Sequence, residues 1–474
     1  MASKNISFDS IPSSIRKPGK YFEYNTRLAV RTLPANRQRM LIIAQRLAAG
    51  TVAELLPTRV FSDAEAADYF GAGSIAHRMV QAAIKANAYL DLSVCALDDH
   101  ATSPVARVHT LAIANNATSS GTLTLYVGNV RYQIGITSGD TPTVIGAALK
   151  AALDNDAALP FTTTHTTGTL VFTAKNKGTV ANQVDFEAIV TASATTATFT
   201  ATTPGSVDPI LATALAAVFA ERYDVIAVPF IDATSYAAFK THLDSASGPV
   251  EQRPGVGVIA ADDVLATVTT LTGTINHGRI TCGYLRGTRS PAYEMAASYA
   301  AVLAFEEDPA RPLNGLSLPG IAAPPVAARL SRTEQETCLY NGATPFEVGP
   351  GEVVQIVRAV STYVQNAQGI DDISLLDITT IRTLDYVRKA CRERISLRFP
   401  REKLSSKTPE KVRDQLLDVL YQLEDLEIVE EVAANEAGLI VERDMQDPNR
   451  LNAKIPTDVV NGLHVFAGRI DLLL

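Results

Sequence analysis

Cysteine is scarce in this chain and widely spaced. Cys95, Cys282, Cys338 and Cys391 show no Cys-x-x-Cys spacing, so they read as small buried apolar residues of a protein made in a reducing compartment. The seven histidines are equally scattered, which leaves no expected metal cluster. No apolar run approaches the roughly 18 residues a membrane span needs, and the first residues lack the basic-then-apolar layout of a signal peptide. A net charge of −8 argues against a nucleic-acid protein. What these absences leave is a soluble, cytoplasmically made protein with no membrane insertion.

Catalytic motifs are missing too. There is no Gly-x-x-x-x-Gly-Lys-Ser/Thr phosphate loop, and the pair Gly19-Lys20 lies in an extended segment instead of between strand and helix. Gly255–Val258 (GVGV) is a dinucleotide fingerprint without its third glycine, set inside a strand pattern. Gly315–Pro319 (GLSLP) ends in proline where a nucleophile elbow needs glycine. Asp154-Asn155-Asp156 lacks the sixth-position glycine of a calcium loop. The acidic pairs Asp262-Asp263 and Asp371-Asp372 fall at predicted helix starts, where carboxylates favour the helix dipole. No catalytic residue, cofactor or metal ligand is assigned.

What is present is a globular pattern. The 474 residues allow about two to four domains, and 46% apolar against 19% charged residues supplies a good-sized core. Arg39–Ala44 (RMLIIA) reads as a buried strand, and Ser62–Glu65 is a capping box opening a helix that ends near Gly71. A second helix through Ile75, Met79, Ala82, Ala83 and Ala86 leads to the strand Leu92–Leu97, a β-α-α-β beginning. The alternation resumes near Leu211. Predicted strands Tyr223–Phe230, Gly255–Ala260 and Gly278–Leu285 alternate with helices Ser235–Leu243, Asp262–Leu271 and Ser290–Glu307. That implies a mainly parallel sheet covered on both faces. Arg311–Pro325 reads as a long loop and Val353–Val364 as another strand.

From about His100 to Pro209 the composition shifts to Thr, Ala, Ser, Gly and Asn. Gly121–Ile136 reads as a hairpin turning at Gly128-Asn129, and Thr141–Asn155 as a helix with Thr141 as N-cap and Pro142 at its first position. The Thr-rich stretch Thr191–Thr203 fits either an exposed strand or a mobile edge. The block is too long for a decorated loop. Beyond Ile373 come helices Thr379–Ser396 and one starting at Thr408-Pro409, then strands Ala437–Asp444 and Leu451–Val460. The expected class is α/β and multidomain, with an arm (1–30), a discontinuous core (31–99 and 210–372), an inserted β-rich domain (100–209), a C-terminal α+β domain (373–460) and a closing strand (461–474).

Two features resist a plain globular account. Ser7–Val30 is extended by its prolines, and Phe22, Tyr24, Leu28 and Val30 alternate with more polar residues, yet no local partner strand exists. The closing Leu463–Leu474 (LHVFAGRIDLLL) is apolar where a frayed terminus ought to be polar. Second, Arg382 to Arg413 holds eleven Lys/Arg against four Asp/Glu. Arg388, Arg392 and Ser396 share one helix face, with Lys389 and Arg382 nearby. That face is either solvated or a docking surface for an acidic partner.

The arm SIPSSIRKPGKYFEYN with RQRMLIIAQ, and the ending DPNRLNAKIPTDVVNGLHVFAGRIDLLL, resemble tail sheath proteins of Mu-like contractile phages. The resemblance implies a subtilisin-like α/β sheath core without its proteolysis, since no suitable Ser, His and Asp appear. It implies a structural subunit that stacks with copies of itself as rings of a helical sleeve around a tail tube. That sleeve contracts to drive the tube through the host envelope. Implied partners are the tail tube, baseplate and tail terminator proteins, and the implied place is the virion tail, assembled in the host cytoplasm. The terminal arms would join strands of neighbouring subunits, which points to Tyr21, Phe22, Tyr24, Val465, Phe466, Ile470 and Leu472 as linking residues. Arg388, Lys389 and Arg392 would face the tube. The rivals are the sheath of a phage-derived bacteriocin or injection machine and, from another class, a cytosolic α/β enzyme with an inserted domain.

Overall fold

The apolar run at Arg39–Gln45 (β1) becomes the centre of the main sheet. It is followed by the short β2 (Thr58–Arg59), helices α1 (Asp63–Phe70) and α2 (Ile75–Ala86), and β3 (Asp91–Leu97). The structure is a computed structural model and describes Ser14, Leu33 and residues 16–22 and 36–472. Ser62 caps α1 by accepting from the Glu65 amide at 3.2 Å, while Glu65 accepts from the Phe61 amide at 2.9 Å. This satisfies two amides that the first turn leaves without partners.

Between β3 and the next core element lie two antiparallel sheets. Their strands are β4 (Val108–Ala114), β5 (Gly121–Val127), β6 (Val130–Ile136), β7 (Phe161–Thr166), β8 (Thr169–Ala174), β9 (Phe186–Val190) and β10 (Thr196–Thr203). One sheet has the order β10-β4-β8-β7 and the other β6-β5-β9. Helix α3 (Pro142–Asp154) buries Ile145, Leu149 and Leu153 against strands of both. Gly128 (φ +55°) and Asn129 make the two-residue turn that joins Val127 to its partner Val130. The Thr-rich stretch forms β10, an edge strand with a bulge between Phe199 and Ala201. That bulge twists an uncharged edge away from further pairing.

The core continues with α4 (Leu211–Val218), β11 (Val225–Ala227), α5 (Ala233–Ser247), β12 (Val256–Ala261), α6 (Leu265–Ile275), β13 (Ile280–Tyr284), α7 (Ala292–Phe305), α8 (Arg332–Tyr340), β14 (Thr344–Gly349) and β15 (Val353–Ile356). The main sheet runs β15-β14-β13-β12-β11-β1-β3-β2. Every pairing from β14 to β3 is parallel, and the two end strands are antiparallel. The chain steps one way from β1 to β3 and the other way from β11 to β13, so right-handed crossovers set α2 and α5 on opposite faces. Both faces are therefore covered, and β12 and β13 are buried along their whole length.

Helix α7 is buried from Ala292 to Ala304, with no polar face to show to water. Its Ala296, Ala297, Ala300 and Ala301 allow close packing on α2 and the strands. Its one carboxylate, Glu294, faces Arg78 of α2, and both side chains are buried. Arg78 donates twice to Glu294 Oε1, from Nη2 at 2.7 Å and from Nε at 3.0 Å.

Several expectations change. The strand expected over Val353–Val364 ends at Ile356. Beyond it the backbone at Val360 is held by buried threonines. Thr281 Oγ1 donates to the Val360 carbonyl at 2.7 Å, and the Val360 amide donates to Thr344 Oγ1 at 2.9 Å. Helix α8 was not expected, although its signal is local: Ser331 and Glu334 form a complete capping box.

The last part holds α9 (Ile378–Arg398), α10 (Thr408–Asp425), β16 (Val429–Glu430), α11 (Val432–Asn435), β17 (Ile440–Arg443), β18 (Leu451–Lys454) and β19 (Asp458–Val459). The chain divides into two compact units, with the change inside α9 at Tyr386/Val387. The larger unit contains the main sheet, the two inserted sheets and the β16/β19 pair. The smaller contains 387–426 and 432–456, where α10 buries Val412, Leu416, Val419, Leu420 and Leu423, and β17 and β18 form a hairpin.

Removing one partner of a buried ion pair strands the other charge, at a cost of about 3–5 kcal/mol. Glu294→Ala is expected to destabilise the larger unit by about that amount in chemical denaturation, and Glu294→Gln by clearly less.

Candidate functional site

The place where an open α/β sheet would bind a ligand is occupied here by the protein itself. Strand order reverses between β1 and β11, and in such sheets ligands sit beyond the carboxyl ends of the strands at that point. Gln45, the last residue of β1, donates to Asp99 Oδ1 at 2.8 Å and to the Lys177 carbonyl at 2.6 Å. Asn176 donates to the Arg46 carbonyl at 2.8 Å and accepts from the Ile75 amide at 3.0 Å, so it satisfies the start of α2. Gln183 donates to the Pro229 carbonyl at 3.4 Å and accepts from the Tyr293 amide at 3.0 Å. Asn176, Lys177 and Gln183 all belong to the inserted sheets' segment, which fills the crevice.

The same seam carries perturbed carboxylates. Asp262 follows β12, and burial together with the like charge of Asp185 pushes it up to about 6. Burial also raises Asp185, against the opposing pull of Arg107 and Arg289. Arg289 pairs with Glu187 and stacks over the Tyr126 ring at 3.9 Å, which ties the inserted segment to the loop before α7. Perturbed acids in a cleft are a sign of chemistry, but these face charges and rings across a packed seam.

The motif fragments resolve into packing and capping. A Cβ on Gly257 would lie 2.6 Å from the Phe239 ring, so glycine there admits the side chain of α5. Ser317 bridges in antiparallel fashion to Gln355. Asp154 pairs with Lys150, and Asp156 accepts from Tyr132 Oη at 2.5 Å. Asp263 accepts from the Val264 amide at 2.6 Å, ahead of α6. The pair Asp371-Asp372 does not start a helix: α9 begins at Ile378, and Asp372 instead accepts from Tyr363 Oη at 2.6 Å and the Ser374 amide at 2.9 Å. All four cysteines are buried. Among the described residues no three His, Cys, Asp or Glu side chains are grouped so as to hold a metal ion. No described helix is long and apolar enough to cross a membrane.

Exposed apolar side chains occur along the chain, Tyr89, Val250, Tyr340 and Met445 among them, but five of them, Leu463, Val465, Phe466, Ile470 and Leu472, fall within ten residues. Phe22, Val465, Phe466, Ile470 and Leu472 are each at least 79% exposed. Tyr21 is exposed and its hydroxyl donates to the Lys17 carbonyl at 3.0 Å. Tyr24 lies outside the described residues. On α9, Arg392 is exposed and Arg388 and Lys389 are half-buried. Two other cations of the basic run turn inward. Arg382 is buried and donates to the Glu306 carbonyl, and Arg394 is buried against Asp418 and Gln422. Part of the positive excess read from the sequence is thus internal.

The class of protein that carries this arrangement is given by comparison with known proteins. Residues 192–362 match the phage tail sheath protein central domain and residues 371–472 the phage tail sheath C-terminal domain. Over 99% of this chain and the whole of the relative, the sequence is 32% identical to the Mu-like prophage FluMu tail sheath protein of Haemophilus influenzae. The fold is similar to a sheath tail protein of Listeria innocua, with a TM-score of 0.52 and 14% identity over 91% of this chain and 94% of that one. A sheath tail protein of Desulfitobacterium hafniense gives a TM-score of 0.52 and 13% identity over 94% and 97%. The chain belongs to the phage tail sheath family.

The raised Asp262 gives a pH test. Unfolded, the carboxyl loses its proton near 3.8, and folded it does so near 6, so its contribution to stability is lost as pH rises through that interval. Asp262→Asn is expected to raise stability at pH 7 by about 2 kcal/mol and to change it little near pH 4, read by thermal or chemical denaturation at both pH values.

Proposed function

We propose that this chain is the repeating subunit of a contractile tail sheath, stacking as rings into a helical sleeve around a tail tube. One observation supports this reading above the others: the strongly exposed apolar side chains Val465, Phe466, Ile470 and Leu472 at the end of an ordered body. Burying a side chain of that size is worth about 1.5–3 kcal/mol, so the free chain holds a sizeable drive toward association. The terminal segments join neighbouring copies by strand addition, in which main-chain hydrogen bonds give affinity and alternate side chains give register.

Contraction follows from the division of labour. The arms keep neighbours joined while the bodies move from one packing to another, and the energy lies in the difference between those two packings. The inserted sheets, with their uncharged Thr-rich β10, face outward from the sleeve. Arg388, Lys389 and Arg392 of α9 face the tube, where an acidic partner surface would draw the subunit into register. Baseplate and terminator proteins close the two ends of the sleeve, and assembly takes place in the host cytoplasm.

Two measurements test this. Deleting residues 1–25 is expected to leave a monomer with unchanged thermal stability that forms no tubes in negative-stain electron microscopy. Normal sheaths from that deletion would contradict the linking role. Reversing charge with Lys389→Glu and Arg392→Glu is expected to lower the fraction of tail tubes that acquire a sleeve while the chain alone still polymerises. Unchanged coating would remove α9 from the tube face.

A further inference from the structure

The last residues before the exposed tail lie on the body in an alternating pattern. Asn461 and Leu463 are exposed, whereas Gly462 and His464 are partly buried, and from Val465 to Leu472 every residue is exposed. The inward positions of this unpaired segment end at His464. Upstream, β19 pairs with β16 and the Val460 amide donates to the Ile428 carbonyl at 3.3 Å. Downstream of His464 the residues of the tail stand in solvent.

The contacts at 462 and 464 are specific. At Gly462 a Cβ would come 2.5 Å from Pro312 Cγ, so the backbone there lies directly against the 311–316 loop. The Asn314 amide nitrogen lies 2.9 Å from His464 Nδ1 and donates to it, which places the ring proton of the neutral imidazole on Nε2. Nε2 lies 3.4 Å from Asp377 Oδ1, and Asp377 is fixed by the fork of Arg358, at 2.8 Å and 2.7 Å. The charged groups facing the ring are therefore Asp377 and Arg358. The notch is built from two loops of the body and holds one side chain of the tail.

We infer that His464, seated between Asn314 and Asp377 with Gly462 against Pro312, is the pin that fixes where the C-terminal linker leaves the body. It is a positioning residue: it acts by setting the free length and starting direction of the residues that join a neighbouring copy. The inference rests on the linking role proposed above for the tail. With the pin seated, the described free residues 465–472 reach at most about 28 Å. Released back to Val460, the tail gains 461–464 and about 14 Å of reach. Effective concentration falls roughly as the −3/2 power of linker length, so this change alone weakens association about twofold, and loss of the starting direction adds to it.

The test uses the full chain and four variants: His464→Ala, His464→Gln, Asn314→Ala and removal of residues 465–474. In the monomer, a spin label at the exposed Leu463 is expected to be immobilised in the wild type and mobile in His464→Ala and Asn314→Ala, with melting temperature unchanged. The concentration needed for sheath assembly is expected to rise at least about twofold in both, with less regular tubes. His464→Gln can still accept from Asn314 and is expected to restore both readouts. Wild-type label mobility and wild-type assembly in His464→Ala would overturn the pin. If the truncation blocks assembly while His464→Ala assembles as wild type, the pin fails and the linking role stands. If the truncation assembles normally, the linking role fails, and the pin with it.

Discussion

Apolar side chains on an extended segment need a surface, and the described residues Val465 to Leu472 have none on their own body. That constraint orders the rest of the molecule. The body needs nothing from the exposed residues 465–472: its parallel sheet is covered on both faces, its central helix is buried, and the buried pair Arg78–Glu294 is internally satisfied. The tail leaves that finished body at a fixed place and carries Val465, Phe466, Ile470 and Leu472 into water. A protein so arranged is stable as a body and unsatisfied as a monomer, which is the condition a polymer subunit must meet.

The filled crevice at the reversal of the sheet belongs to the same logic. An α/β sheet of this order has a ready-made place for a ligand. Here Gln45, Asn176 and Gln183 use it as a joint between the sheet and the inserted segment. Side-chain amides suit that task, since each can donate and accept toward backbone groups left open at strand ends and at a helix start. The inserted sheets are thereby bolted to the core at several separate points, with Arg289 on Glu187 and Tyr126 as another. Such joints suit a machine whose work comes from switching between two packings.

Much of this was readable from local pattern. The run RMLIIA, the capping box at Ser62 and the Gly128-Asn129 turn each specify their structure within a few residues, and the structure follows them. The helix after Ser331 carries an equally local signal. Other features depend on distant partners. The strand after Val353 stops because Thr281 and Thr344 take over the backbone of Val360, and those residues lie 79 and 16 positions away. On α9 the spacing of Arg388 and Arg392 shows that they share a face. It could not show that Arg382 and Arg394 turn inward, because a helix period says which residues go together and not which side is buried. The exposed apolar tail was legible as an anomaly, whereas its exit point was not, since Asn314 and Asp377 lie far from His464 in sequence.

On the linking role proposed above, the apolar tail of one copy is covered by another copy. A photo-crosslinking amino acid placed at Phe466, with irradiation before and after assembly, tests this. Crosslinks to a second copy are expected to appear with the polymer and to map to a single segment of it. Crosslinks confined to the chain's own body, equal in monomer and polymer, would contradict it.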